Sequence, residues 1–406
     1  MSESVVARLA LLAQIGKHDA GIDRALATPQ ERRAREQFAQ WARAAGYDLR
    51  QDRVGNLFAR RAGTRDGALP ILVGSHLDTV PTGGAYDGAF GVAGALCALE
   101  LLDQRAISTA HPVEAVAWAG EEGSRFPLGC LGSSGFCGLW EIDALLDLRD
   151  EGGMTLREAL DDSAGGLLTG VPVRDGHDAA GYLELHVEQG PVLEREGVSL
   201  GVVTAIAGQR RYRVDVDGVS GHAGTVPMNI RADALCAAAE LVLAVEACAR
   251  GAEDTVATVG RIFAEPGGTN VIPARATFSL DVRGPVESRI DAVERALHER
   301  ARNVQTQRGV RVNVERLESR SPAPMNDALR AAVHRAAAAL GERAVDIASG
   351  AGHDAMCLSQ IVPAAMIFVP SVGGRSHVAQ ERTGERDLDL GVRALAAAIV
   401  EVDRIL

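Results

Sequence analysis

The stretch Gly74-Ser75-His76-Leu77-Asp78-Thr79-Val80, continued by Gly84-Ala85-Tyr86-Asp87-Gly88, decides the reading of this chain. It follows an apolar run, Leu69 to Val73, that reads as a buried strand, and it delivers a histidine and two carboxylates just past the strand's end. Three more apolar runs end the same way. Val113 to Ala119 runs into Glu121-Glu122, Tyr182 to Leu185 into His186, and Ala364 to Val369 into a loop that reaches His377. Open α/β folds bind ligands at the carboxyl ends of their strands, so these ends predict one site at one sheet edge. Imidazoles mixed with carboxylates suit a zinc-like divalent ion.

Outward from that stretch, helical periods alternate with short β-branched runs from residue 1 to about 210, the pattern of an α/β sheet covered by helices. Helices are expected over residues 30–46 and 89–105. The N-terminal segment lacks a basic region followed by an apolar core and cleavage site, and it reads as an amphipathic helix. From 211 to 319 the pattern changes. Tyr212 to Asp217 alternates with period two, Arg231 to Arg250 is a long helix, and Thr255 to Phe263 and Ala276 to Val282 are strands. Glu287 to Gln307 is a helix and Val310 to Arg316 alternates again. That order, β-α-β-β-α-β, is the split βαβ (ferredoxin-like) sandwich. Residues 325–406 return to helix, strand, loop and helix. The expected architecture is an α/β catalytic domain with a central, mostly parallel sheet, residues 1–210 and 320–406, interrupted by an inserted α+β domain at 211–319.

A length of 406 residues exceeds one ordinary core and fits two domains. A net charge of -12 without a long basic block argues against nucleic-acid or anionic-membrane partners. No apolar stretch approaches the ~20 residues that span a bilayer. The six cysteines form no CxxC pair and lie mostly in apolar surroundings, so they read as free thiols in a reducing compartment, the cytoplasm.

Among the ten histidines, His18, His111, His177, His298 and His334 have no acidic strand-end partner and are expected to face solvent. His76, His186 and His377 each follow an apolar strand or its loop. Singly, each would pass for a structural histidine; together with Asp87 and Glu121-Glu122 they read as metal ligands. Adjacent carboxylates repel unless cations or distinct roles separate them. Neighbouring side chains point in different directions, so one can ligate a metal while the other takes the proton of a metal-bound water and passes it to a leaving nitrogen. Asp78, two residues beyond His76, is placed to accept the other ring N–H and fix the tautomer.

These motifs, with Glu121-Glu122-Gly123-Ser124-Arg125-Phe126, Leu185-His186-Val187-Glu188-Gln189-Gly190 and Gly374-Arg375-Ser376-His377, resemble the hydantoinase/carbamoylase family. That family holds N-carbamoyl-amino-acid hydrolases, yeast-type β-ureidopropionases and allantoate amidohydrolases, within the dinuclear-zinc aminoacylase and carboxypeptidase superfamily. The resemblance runs in order through essentially the whole chain. It implies two divalent ions, zinc first, although manganese, cobalt and nickel accept such ligands. His76 and His186 would hold one, Glu122 and His377 the other, with Asp87 bridging and Glu121 as general base. A histidine at 186, where many superfamily peptidases carry a carboxylate, looks like the carbamoylase branch.

The resemblance also implies substrate contacts. His222, in Ser220-Gly221-His222-Ala223-Gly224-Thr225, would serve the oxyanion in the site of a dimer partner, unless it is a loop histidine capping a helix. Asn270, with Arg283 at the end of the next strand, would clamp the substrate carboxylate, which a planar guanidinium matches bidentately. Gln189 would touch the ureido group or else bond backbone. Gly208-Gln209-Arg210-Arg211-Tyr212 looks like the allantoate enzymes, so Arg211 either bonds a second ureido carbonyl or makes an interface salt bridge. His353, in Ser349-Gly350-Ala351-Gly352-His353-Asp354, would pack behind a ligand. The Asp87–Gly88 peptide would be cis, as at the bridging aspartate of related enzymes. The expected function is a metal-dependent amidohydrolase, a homodimer through the inserted domain, that releases ammonia and carbon dioxide from an N-carbamoyl or allantoate-like ureido acid. Cleavage of a true amide, as by aminoacylases and dipeptidases, is the alternative; a metal-stabilised binding protein without catalysis is the alternative of another class.

Overall fold

The computed structural model describes residues 4–162, 164–174 and 176–406. The N-terminal helix runs Val5–Leu12, and residues 1–3 of the segment read as helical lie outside the described residues. In chain order the strands begin with a small ribbon, β1 (Lys17–His18) and β2 (Gly21–Ile22), then β3 (Asp48–Gln51), β4 (Leu57–Arg61) and β5 (Ile71–His76). There follow β6 (Val113–Trp118), β7 (Gly181–Val187), β8 (Leu200–Ile206), β9 (Gly208–Asp217), β10 (Gly221–His222), β11 (Val256–Thr258) and β12 (Ile262–Glu265). The last are β13 (Val271–Ile272), β14 (Arg275–Gly284), β15 (Arg311–Arg320), β16 (Ala323–Pro324), β17 (Ala344–Ser349) and β18 (Ala364–Val369).

The chain divides into two compact units, Met1–Thr204 with Met325–Leu406, and Ala205–Pro324. The smaller unit therefore takes in residues 205–210 and 320–324, which the sequence pattern had left with the larger. The reason is the ladder itself: β9 starts at Gly208 and β15 runs to Arg320, beyond the stretches where apolar alternation is legible. Where the chain crosses, Ala323 and Pro324 pair antiparallel with Ile206 and Ala205.

The larger unit is an α/β fold. Its sheet runs β3-β4-β6-β5-β7-β18-β8, with β17 also on β8. β5 is parallel to β6 and β7, and β7 to β18, whereas β3–β4, β4–β6 and β8–β18 are antiparallel. The expectation of a mostly parallel sheet is thus corrected to a mixed one, with its three parallel pairs in the middle and antiparallel pairs on either side. The short connection at residues 52–56 between β3 and β4 permits no crossover, and such a link imposes an antiparallel pair. β5, β6, β7 and β18 are buried along their whole length. Strands covered on both faces become continuous apolar runs, which is why these four stood out in the sequence. Helices Ala89–Gln104 and Glu385–Asp403 cover them, with Phe90, Leu96 and Leu395 in the shared core. The helix Pro29–Ala44 starts on Thr28, whose hydroxyl accepts the N–H of Glu31 at 3.2 Å, with proline at the first turn.

The smaller unit is an antiparallel sheet, β11-β14-β9-β15, with β12 also on β14. Counting its four main strands in chain order gives 4-1-3-2 from β15 to β11, the split βαβ arrangement. The expected strand at Thr255 to Phe263 is two pieces, β11 and β12. Helices Ala234–Arg250 and Glu287–Arg308 pack on the face formed by Tyr212, Val214, Phe278, Leu280 and Val282. The opposite face is a lattice of charges, with Arg213 and Arg275 on Asp215 and Arg211 on Asp281.

No helix among the described residues is long and apolar enough to cross a membrane. No disulfide joins any of the six cysteines among the described residues. His111 departs from expectation: it is buried, its Nδ1 lies 3.0 Å from Asp403, and Arg65 reaches its Nε2. The partners come from segments far away in sequence, so nothing local announced that burial.

Candidate metal centre

Strand geometry carries the ligands to one edge. His76 is the last residue of β5 and His186 stands one residue before the end of β7, in neighbouring parallel strands; their rings stack at 5.9 Å. Asp87 sits between β5 and the helix Ala89–Gln104. Glu121 and Glu122 follow β6, and His377 lies in the loop after β18. His76, Asp87 and His186 form one group whose donor atoms lie within 4.8 Å of one another, and Asp87, Glu122 and His377 form a second. Asp87 belongs to both, and it turns one oxygen to each. Its Oδ1 lies 3.6 Å from His76 Nε2 and 3.2 Å from His186 Nε2; its Oδ2 lies 3.2 Å from His377 Nε2. Glu122 Oε2 is 3.5 Å from His377 Nε2. Glu121 is in neither group; its Oε2 stands 3.7 Å from His76 Nε2.

The two buried histidines are oriented for ligation. His76 Nδ1 donates to the main-chain carbonyl of Asp78 at 3.0 Å, and His186 Nδ1 donates to that of Val187 at 2.8 Å. With Nδ1 committed to a carbonyl, Nε2 is the nitrogen turned towards Asp87, as a ligand requires. Charge in the site is lopsided. Burial pushes the Glu121 carboxyl up to about 7; His76 opposes this while Asp78, Asp87 and Glu184 add to it. Burial, then Asp87 and Glu121, raise Glu122 to about 8. Burial works against charge on Asp87, but the three imidazoles facing it outweigh burial and hold its carboxyl well below the usual range. The positive charge that protons bring to these imidazoles is what dications would bring to the same Nε2 atoms. The donor set fits two divalent ions.

Two expectations, for Asp78 and for the Asp87–Gly88 peptide, are corrected here, and one of the two alternatives for Gln189 is set aside. The carboxylate of Asp78 does not take the His76 ring, from which it stands 3.7 Å away. It accepts the main-chain N–H groups of Glu121 and Glu122, at 3.1 Å each, and the Asp78 carbonyl serves the ring instead. Gln189 turns its amide nitrogen to Asp87 Oδ2 at 2.7 Å, not to backbone, leaving its buried Oε1 without a partner. Asp87–Gly88 is trans, the cis bond among the described residues being Glu265–Pro266. Gly88, at φ 62°, closes a γ-turn in which Ala89 N–H donates to Asp87 C=O at 2.6 Å.

The remaining residues named from sequence lie in the smaller unit, except His353. There β10 pairs with β13, and Ala223 N–H donates to the Asn270 carbonyl at 2.9 Å, so one ribbon carries His222 and Asn270. His222 is exposed and its Nδ1 accepts the N–H of Gly224 at 3.0 Å. Arg283 and Arg211 share Asp281, at 3.0 and 3.3 Å, and Arg211 also meets Glu318 at 3.1 Å. His353 is buried against the His186 ring at 4.6 Å and is bonded to Ser349 Oγ at 2.8 Å.

Sequence reading missed two carboxylates. Glu184 is fully buried in β7, where it accepts from Ser75 Oγ at 2.8 Å and Ala355 N–H at 2.9 Å; an acid inside an apolar strand, two residues before His186, was the available signal. Glu381, four residues after His377, is also buried, and its loop setting gave no signal.

An α/β scaffold with a cation-ready carboxylate bridge at its sheet edge defines the class as metallohydrolase-like, and comparison with known proteins narrows it. The sequence matches peptidase family M20/M25/M40 over residues 72–401. It is 39% identical to an N-carbamoyl-L-amino-acid amidohydrolase of Paenarthrobacter aurescens, covering 99% of this chain and 98% of that one. It is 37% identical to the allantoate amidohydrolase of Bacillus subtilis, covering 97% and 96%. A crystal structure of a hydantoinase/carbamoylase family amidase from Burkholderia ambifaria is similar with a TM-score of 0.91 at 39% identity, covering 98% of this chain and 96% of that one. The chain belongs to peptidase family M20/M25/M40, in its carbamoylase group of amidohydrolases.

Proposed function

We propose that the chain is a metal-dependent amidohydrolase that cleaves the carbamoyl C–N bond of an N-carbamoyl amino acid or an allantoate-like ureido acid, releasing ammonia and carbon dioxide. The observation that carries this reading is the division of labour around Asp87: each of its oxygens faces a separate donor group, and Glu121 stands beside His76 without joining either group. Two divalent ions, zinc first, would be held by His76, His186 and Asp87 and by Asp87, Glu122 and His377, and would supply an acidified water and a polarised carbonyl. Glu121, beside His76 and outside both donor groups, takes the nucleophile's proton and returns it to the leaving nitrogen. A binding protein would have no use for that base.

Substrate recognition falls to side chains with spare capacity. Gln189 Oε1, buried and unpaired, can accept a ureido N–H. Asn270 and Arg283 clamp the substrate carboxylate, and Arg211 takes the second ureido carbonyl of an allantoate-like acid. His222 serves the oxyanion in the site of a second copy, so the smaller unit acts as a lid and a dimerisation domain. Met228, Ile230 and Leu243, exposed at 75%, 68% and 63%, give that unit apolar surface for an isologous contact. Six cysteines without a disulfide suit the cytoplasm.

The test is ammonia release by the zinc- or manganese-loaded protein on allantoate, N-carbamoyl-β-alanine and a panel of N-carbamoyl-L-amino acids, beside free-amino-acid release from N-acetyl amino acids and dipeptides. Turnover confined to the last two classes would replace this reading with a true amidase; no turnover on any substrate would favour a binding protein.

A further inference from the structure

Glu381 is used by none of the steps above, yet it touches three parts of the centre. One of its oxygens, Oε1, accepts the main-chain N–H of Tyr86 at 2.7 Å and of Asp87 at 2.9 Å. The other, Oε2, lies 2.8 Å from Ser376 Oγ, which itself lies 2.7 Å from Asp87 Oδ2. Ser376 immediately precedes His377. A single side chain thus ties the backbone that carries Asp87 to the loop that carries His377, and it reaches the Asp87 carboxylate through one hydroxyl.

The chain makes room for this contact. A Cβ at Gly84 would stand 2.3 Å from Glu381 Cδ and 2.5 Å from its Cβ and Oε1. Those are collisions with the root of the side chain as well as its tip, so rotation of the carboxylate alone would not relieve them. Gly84 does not carry a positive φ, and its bareness is needed for this close approach. Glu381 is 6% exposed, in a loop otherwise rich in polar, solvent-facing residues. Burying a carboxylate is costly unless its hydrogen bonds are met, and here the acceptors are spent on the two strands of chain that must hold the bridge.

We propose that Glu381 is the positioning residue of the bridging aspartate: with Gly84 as its seat and Ser376 as its link, it fixes Asp87 against His377 so that one carboxylate can serve two cations. This rests on the reading of the site as a dinuclear metal centre. Glutamine at 381 preserves the geometry. Its carbonyl oxygen can accept both amide N–H groups, and its NH₂ can donate to Ser376 Oγ, which then donates to Asp87 Oδ2.

The experiment measures zinc affinity of the full-length protein by competition with a chromophoric chelator, and the visible spectrum of the cobalt-substituted protein. Glu381→Ala and Gly84→Ala are expected to bind zinc about 10–100-fold more weakly, the usual effect of removing a group that orients a metal ligand, and to shift the cobalt bands. Glu381→Gln is expected to restore both readouts to within about threefold of wild type. If Glu381→Ala does not fold, Gly84→Ala carries the same readouts, because it keeps the carboxylate and displaces it. Wild-type zinc affinity and an unshifted cobalt spectrum in either alanine variant would overturn the proposal, and so would a glutamine variant as weak as alanine. A wild-type chain that binds no zinc would overturn this and the metal-centre reading together. A chain that binds zinc with these variant effects but hydrolyses no ureido acid would overturn the substrate assignment alone.

Discussion

The carboxylate of Asp78 accepts the main-chain N–H of Glu121 on one oxygen and that of Glu122 on the other, each at 3.1 Å. Its own carbonyl meanwhile takes Nδ1 of His76. One residue therefore sets where the carboxylate pair begins and which way the histidine ring faces. In Asp78→Asn the side-chain NH₂ would meet one of those N–H groups, donor against donor, while the carbonyl keeps His76 in place. A kcat reduced about 10–100-fold at wild-type zinc content is expected. Unchanged kcat would leave Asp78 without a part in placing Glu121.

Glu121→Gln keeps shape and removes basicity. Turnover should fall by about 10²–10⁴-fold, the range for losing a general base, with zinc content and KM near wild type. Metal analysis beside steady-state kinetics checks it, and a loss of only a few-fold would assign the base elsewhere.

Removing the bridge and removing a terminal ligand should differ in stoichiometry. Asp87→Ala is expected to lose both zinc equivalents after dialysis, because both donor groups include it, whereas His377→Ala should lose one. Elemental analysis distinguishes the two. Chelation of wild type should abolish activity, and zinc or manganese should return it.

Asp52 gives a pH signature away from the centre. It accepts from Val54 N–H, Asn56 N–H and the Asn56 side chain, but burial outweighs these bonds and raises its carboxyl from 3.8 to about 6. Below pH 4 both folded and unfolded chains hold the proton. Between pH 4 and 6 the unfolded chain releases it and the folded chain keeps it, so stability falls as pH rises, by about 3 kcal/mol across that window, and levels off above it. Denaturant unfolding of chelator-treated wild type and Asp52→Asn should show their difference shrinking by that amount. A difference constant across the window rules it out.

Shared catalysis makes a complementation test. Glu121→Gln and His222→Ala subunits should each be inactive alone, while a mixed dimer should recover one competent site. Activity that stays at zero on mixing would mean that His222 does not serve a partner's site.

The legible part of this molecule is its buried middle. The apolar run Ala364 to Val369 matches β18 to the residue and Val113 to Ala119 matches β6 within one, because strands covered on both faces cannot hide their composition. β5 and β7 continue past the ends of their apolar runs, so His76 and His186 lie within the strands and not beyond them. His76, His186 and Glu121-Glu122 stood out by interrupting those runs. Glu381 stayed hidden, since an acid in a polar loop looks like any other until its partners at Tyr86 and Asp87 are known. The same limit applied to Asp78, where main-chain donors decided the role and main-chain donors leave no mark in sequence. It applied equally to His111, buried by a helix close to the other end of the chain.

β18, the last strand of the chain to be synthesised, inserts between β7 and β8, parallel to the first and antiparallel to the second. On the ribosome both of those strands emerge ahead of nearly all of the smaller unit, and the edge of each that β18 fills stays unpaired until residues 364–369 appear. His377 arrives later still. A nascent chain can therefore fold much of its sheet but cannot close it, and a prematurely terminated product lacking residues 364–369 would keep two open edges, the kind of template on which strands from other chains assemble.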